Sequence, residues 1–81
     1  MERKEIESLV DHFLVEEMEI PAEAIKREAR LKDDLGLDSL DYVDIVVIVE
    51  KNFGFKIKPE EMAQVSTVDE FYNYIESKMN G

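Results

Sequence analysis

Chain breakers are scarce in this sequence. Its 81 residues include only three glycines and two prolines, too few turn signals to divide it into a set of strands. Between them run long segments with apolar residues at helical spacing, so the chain is constrained to pack helices. Over about residues 2–17, Ile6, Leu9, Val10, Phe13 and Leu14 form one apolar stripe, with Glu7, Asp11 and Glu16 off it. Pro21 marks the exit. Residues 19–37 form a long connection in which Pro21 can start a short helical turn. Ile25, Leu31 and Leu35 are spaced to pin that connection to a core. A loop this long in a small domain is usually functional or mobile.

A second helix is predicted from Asp38 to about Asn52. Asp38 suits the N-cap, Asp41 can reach back to it, and Gly54 is the stop. The β-branched run 45–49 could be read as a buried strand. Its length, its cap and the terminal glycine favour helix, with Ile45, Val46, Val49 and Phe53 on one face. Residues 59–64 read as a short helix with Pro59 in its first turn. Thr67 and Glu70 make a capping box for a last helix, whose apolar face is Val68, Phe71, Tyr72, Ile75 and Met79. The expected fold is all-α: one domain over 1–81, with three main helices and one short helix in a small bundle, and a long loop between the first and second helices.

Composition narrows the function. There is no cysteine, so any thiol chemistry must come from a group added to the chain. Twenty acidic against ten basic residues give a net charge of −10. Such a surface repels nucleic-acid phosphates and anionic lipid. It suits basic patches on protein partners; solubility is the second reading of the same acidity. No stretch approaches the roughly 20 apolar residues of a membrane span, and the N-terminus has charges where a secretory peptide needs an apolar run. The expectation is a monomer in the cytoplasm or an organelle matrix, without membrane insertion.

The informative stretch is 33–47, Asp-Asp-Leu-Gly-Leu-Asp-Ser-Leu-Asp-Tyr-Val-Asp-Ile-Val-Val. Around Ser39 it resembles the prosthetic-group site of acyl carrier proteins, whose core reads Asp-Ser-Leu before a helix of interleaved acidic and apolar positions. Asp34-Leu-Gly, Glu50, Phe53, Ile57, the Glu60-Glu61 pair and Thr67-Val68 extend the similarity over nearly the whole chain. The resemblance implies a non-enzymatic carrier. A phosphopantetheinyl transferase would use coenzyme A to attach 4'-phosphopantetheine to Ser39, and the arm would hold acyl groups as thioesters. An anion there would lie beside unpaired helix N–H groups at the positive end of the helix dipole.

The resemblance also implies docking of acyl-chain enzymes, through basic and apolar patches, onto Asp38, Leu40, Asp41, Val43, Asp44, Val47 and Glu50. Dipole compensation is a second reading for the acids, and ordinary core a second reading for Val43 and Val47. Val10, Phe13, Ile45, Val46, Val49, Met62, Val65, Phe71 and Ile75 are the candidates for lining an acyl-chain pocket. Lys51, Lys56 and Lys58 depart from the family's acidic or neutral pattern and interrupt a continuous acidic strip. Tyr42 and Asp44 are less usual choices at their places.

Within that resemblance, strong acidity and stand-alone length favour fatty-acid biosynthesis or a related stand-alone pathway. A specialised carrier of aminoacyl, peptidyl, polyketide or aryl-polyene cargo is the nearest alternative, and an unmodified acidic adaptor the next. His12 has no triad partners in sequence and reads as a surface residue. Asp33, Asp34 and Asp38 do not match a calcium loop, so no metal is expected.

Overall fold

The computed structural model describes residues 2–80. Along the chain run α1 (Arg3–Glu16), a single 3₁₀ turn (Ala22–Ala24), α2 (Ser39–Phe53), α3 (Pro59–Met62) and α4 (Val68–Asn80). No strand forms among the described residues; one isolated bridge pairs Arg30 with Thr67. The bundle is all-α, as the sparse breakers require.

The local signals act where the sequence places them. Glu2 caps α1 instead of joining it. Gly54 ends α2 at φ 81°, a left-handed conformation that glycine adopts without a Cβ penalty. The Glu70 amide donates to Thr67 Oγ1 at 3.1 Å and the Thr67 amide to Glu70 Oε1 at 3.1 Å, completing the capping box of α4. The α3 helix stops at Met62, short of the expected Gln64. Turn bonds from the Gln64 and Val65 amides carry the chain into α4.

The core is apolar throughout, with no buried charged or polar residue among those described. The α1 helix packs against α4. Phe13 and Phe71 meet edge to face at 6.3 Å in the centre, where Ile6, Val10, Leu14, Ile45, Val49 and Ile75 are also fully enclosed. Each such side chain contributes about 1.5–3 kcal/mol by leaving water. One expectation for α2 needs correcting. Ile48, not Val46, belongs to its buried face, and Val46 is half-buried.

The long loop is fastened rather than loose. Ile20, Ala29, Leu31 and Leu37 are its buried anchors, while Ile25 and Leu35 are only half-buried. Its backbone also joins the α3–α4 connection: the Leu31 amide donates to the Ser66 carbonyl at 2.9 Å, and the Val68 amide to the Ala29 carbonyl at 3.0 Å. These bonds satisfy backbone groups that a buried loop would otherwise leave unpaired. They also fix where the loop delivers Ser39.

Candidate functional site

Ser39 is the first residue of α2 and is exposed. Asp38, in an extended conformation, caps the helix. Its Oδ1 accepts from the Leu40 and Asp41 amides, both at 3.0 Å, and its own amide donates to Asp41 Oδ2 at 3.0 Å. This corrects the expectation of unpaired helix amides beside Ser39. Two of those donors already hold an anion, the Asp38 carboxylate, because an N-cap aspartate reaches them without strain. The positive end of the dipole remains at Ser39.

Beyond Ser39, α2 presents three apolar side chains to solvent. Leu40 is 78% exposed, Val43 62% and Val47 48%. At these values they are not core, which excludes the packing reading for Val43 and Val47. Their spacing of three and four residues puts them on one face. Asp38, Asp44 and Glu50 are exposed, and Asp41 is half-buried. Lys51 stands in the last turn, where a cation complements the C-terminal dipole, and Lys56 and Lys58 are exposed beyond it.

A cleft of about 220 Å³ opens next to Ser39 between α2 and α3. Lys32 and Tyr42 line it, with Val43, Val46 and Met62 on its apolar walls. Of the nine pocket candidates, Val46 and Met62 border this cleft. Val65 borders a larger, more polar cleft of about 410 Å³ that shares Lys32 and Tyr42. Val10, Phe13, Ile45, Val49, Phe71 and Ile75 lie packed in the core.

Glu61 ties α3 to α4, next to the buried anchor Met62. Tyr74 on α4 donates to Glu61 Oε1 at 2.6 Å, and Lys78 Nζ lies 3.6 Å from the same oxygen. The Tyr74 hydrogen bond, helped by Lys78, holds the Glu61 carboxyl below its usual range. Burial and the same bond push the Tyr74 hydroxyl up to about 12. Among the described residues no group of acids or histidines is arranged to hold a metal ion, and no helix is long and apolar enough to cross a membrane.

The family profile described as "Phosphopantetheine attachment site" matches residues 6–75. Over 77 residues the chain is 40% identical to the acyl carrier protein of Thermotoga maritima, covering 95% of each. The chain belongs to the acyl carrier protein family. It is 41% identical over 68 residues to the acyl carrier protein of Saccharopolyspora erythraea, covering 84% of this chain and 72% of the relative. For that of Coprothermobacter proteolyticus the identity is 38% over 79 residues, covering 98% and 96%. Acyl carrier proteins are carriers, not catalysts, and membership implies a covalently attached 4'-phosphopantetheine.

The residues fit such a group. The arm alternates amides with aliphatic carbons, and the cleft beside Ser39 is mostly apolar, with Lys32 and Tyr42 among its lining residues. Sequence reading marked Tyr42 only as an unusual choice and passed over Lys32. The available signal for Tyr42 was its place three residues after Ser39, one turn along the same helix face.

Proposed function

We propose that Ser39 is the attachment point and that the carrier serves acyl-chain synthesis, most directly of fatty acids, in the cytoplasm. The observation that carries this reading is an exposed primary hydroxyl in the first turn of α2, beside a cleft suited to the arm. Its oxygen would form a bond to the pantetheine-bearing phosphorus of coenzyme A. The pyrophosphate bond breaks, the adenosine bisphosphate half leaves, and the hydroxyl proton is lost to the transferase or solvent. The dipole of α2 favours the resulting phosphodiester anion, against the nearby charges of Asp38 and Asp41. When attached, the arm supplies a thiol that holds acyl groups as thioesters.

The exposed face of α2 is the proposed docking surface. Leu40, Val43 and Val47 offer apolar contact, and Asp38, Asp41, Asp44 and Glu50 steer basic partners toward it. The partners are the transferase and the enzymes that extend or transfer acyl chains. Lys51, Lys56 and Lys58 confine the acidic strip to the first part of the helix. The pathway assignment is supported by relatives that match over most of their length and are named simply acyl carrier proteins.

Intact mass after incubation with coenzyme A, Mg²⁺ and a phosphopantetheinyl transferase tests the attachment. The expected result is one phosphopantetheine gained by the native chain and none by Ser39→Ala. An equal gain in both proteins refutes it.

A further inference from the structure

The exposed face of α2 changes the sign of its charge along its length. Leu40, Asp44, Val47 and Lys51 follow one another at steps of four, three and four, so they share one row, and all four are exposed. Asp38, Asp41 and Asp44 stand at the start of this helix and Lys51 in its last turn. Gly54 then ends the helix, and burial alternates beyond it: Phe55 is half-buried and Ile57 buried, while Lys56 and Lys58 are exposed. That is the alternation of an extended segment, apolar side chains inward and both lysines outward. Residues 51–59 hold three lysines and no acid, in a chain of net charge −10.

The fold makes little use of these charges. Lys51 complements the dipole of α2, but Lys56 and Lys58 lie beyond the helix. The ion pairs among the described residues use Arg3, Arg27, Arg30 and Lys78, and none of these three lysines. Lys58 lies near Glu61, where it adds to the effect of Tyr74 and Lys78 on that carboxyl. A uniformly basic patch laid along all of α2 would meet like charge at the end of the helix, which opposes binding. The helix rises roughly 20 Å over its 15 residues. One protein interface of ordinary size spans that length, so the enzyme that covers the start of α2 also reaches its end.

We propose that Lys51, Lys56 and Lys58 form a second docking element, and that the enzyme extending the acyl chain carries an acidic patch for them beside its basic patch for the start of α2. The proposal rests on the docking face of α2 and on attachment at Ser39. With a change of sign on both partners, only one direction along the helix brings opposite charges together, which sets the orientation of the arm. The same lysines reject enzymes whose patch is basic throughout.

The modified chain is titrated by calorimetry, at low ionic strength, against the host's own chain-extending enzyme. Attachment at Ser39 is verified by mass, and folding of each variant by its melting temperature. The variants are Lys51→Gln/Lys56→Gln/Lys58→Gln, the same three changed to Glu, and Lys51→Glu/Lys56→Glu, which leaves Lys58 and its neighbour Glu61 untouched. Neutralising the three should raise Kd about fivefold, with added salt shrinking the loss. Reversal should raise Kd further in the triple variant, and raise it in the pair as well. If only the acidic strip docks, reversal improves the match to a basic partner. A Kd that falls or stays unchanged in both reversed variants therefore overturns the proposal and leaves attachment intact. Sedimentation of the native chain alone covers the other occupant, a second copy. A dimer abolished by the Gln variant, with enzyme affinity unchanged, would assign the lysines to self-association and overturn the proposal. No mass gain at Ser39 overturns the attachment reading, and this one with it.

Discussion

The two sides of this bundle are built differently. Where α1 meets α4, side chains close the seam. Arg3 reaches Glu7 at 2.8 Å, Asn73 at 2.7 Å, Glu76 at 2.9 Å and Asp69 at 3.1 Å. Tyr72 donates to Asp11, and Phe13 and Phe71 fill the space behind. On the side of α2 and α3 the surface is left unfinished. Leu40, Val43 and Val47 face water, a cleft separates the helices, and one hydroxyl lacks a partner. The short α3 is held to α4 by Tyr74 and Lys78 acting on the single carboxylate of Glu61. On the proposed reading, one seam carries stability and the other meets the partners. A carrier needs both, because its cargo side must meet many enzymes without unfolding.

The comparison can be broken most forcefully from the closed side. Phe71→Ala is expected to cost about 3–5 kcal/mol, close to the whole stability of so small a domain. Denaturant titration would detect it, and a loss below about 1 kcal/mol would mean that the α1–α4 seam is not the structural half. Tyr72→Phe should cost about 1 kcal/mol, because it leaves the partly buried Asp11 carboxylate without its donor. Burial already raises the Asp11 carboxyl, against the bond from Tyr72 that lowers it. The variant should therefore raise it further, which a carboxyl-detected NMR titration can follow.

A smaller effect is expected from Glu61→Gln. The Glu61 carboxyl is depressed in the folded chain, so its contribution is present above the ordinary carboxylate range. That contribution disappears as pH falls through the depressed value. The native chain should then exceed the variant in stability at neutral pH, with the gap closing in acid. Using the difference between the two proteins cancels the general acid response of the other carboxylates. The smallest stability change belongs to the open face. Leu40→Ala and Val47→Ala should alter stability by less than about 0.5 kcal/mol, while raising the KM of the transferase for the carrier. A large loss of stability from either would place these side chains in the core and remove the contrast.

Much of this organisation is written locally. Asp38 with Asp41, Gly54, and Thr67 with Glu70 are punctuation read over three or four residues, and all act as the sequence indicates. Where five consecutive positions are apolar, punctuation gives no help. In the run 45–49 periodicity cannot choose the inward face, and Ile48 was missed for Val46. The seam around Arg3 was illegible for another reason: its partners Asp69, Asn73 and Glu76 lie 66 to 73 residues away. The same holds for the site. Ser39 and its cap are local, but Lys32 comes to the cleft from the loop, where the neighbouring Leu31 amide is bonded to the Ser66 carbonyl. Leu31 was legible as an anchor of that loop, but its backbone bonds to the α3–α4 connection were not. The helix amides beside Ser39 were expected to be open, yet the residue recognised as a cap was already using two of them.

The central claim concerns one hydroxyl among the four serines of the chain, Ser8, Ser39, Ser66 and Ser77. Tandem mass spectrometry of the protein purified from its own host tests it most directly. The account predicts phosphopantetheine on the peptide containing Ser39, with fragment ions that localise it to that residue. Native protein bearing no such group, or bearing it on another serine, would contradict the account.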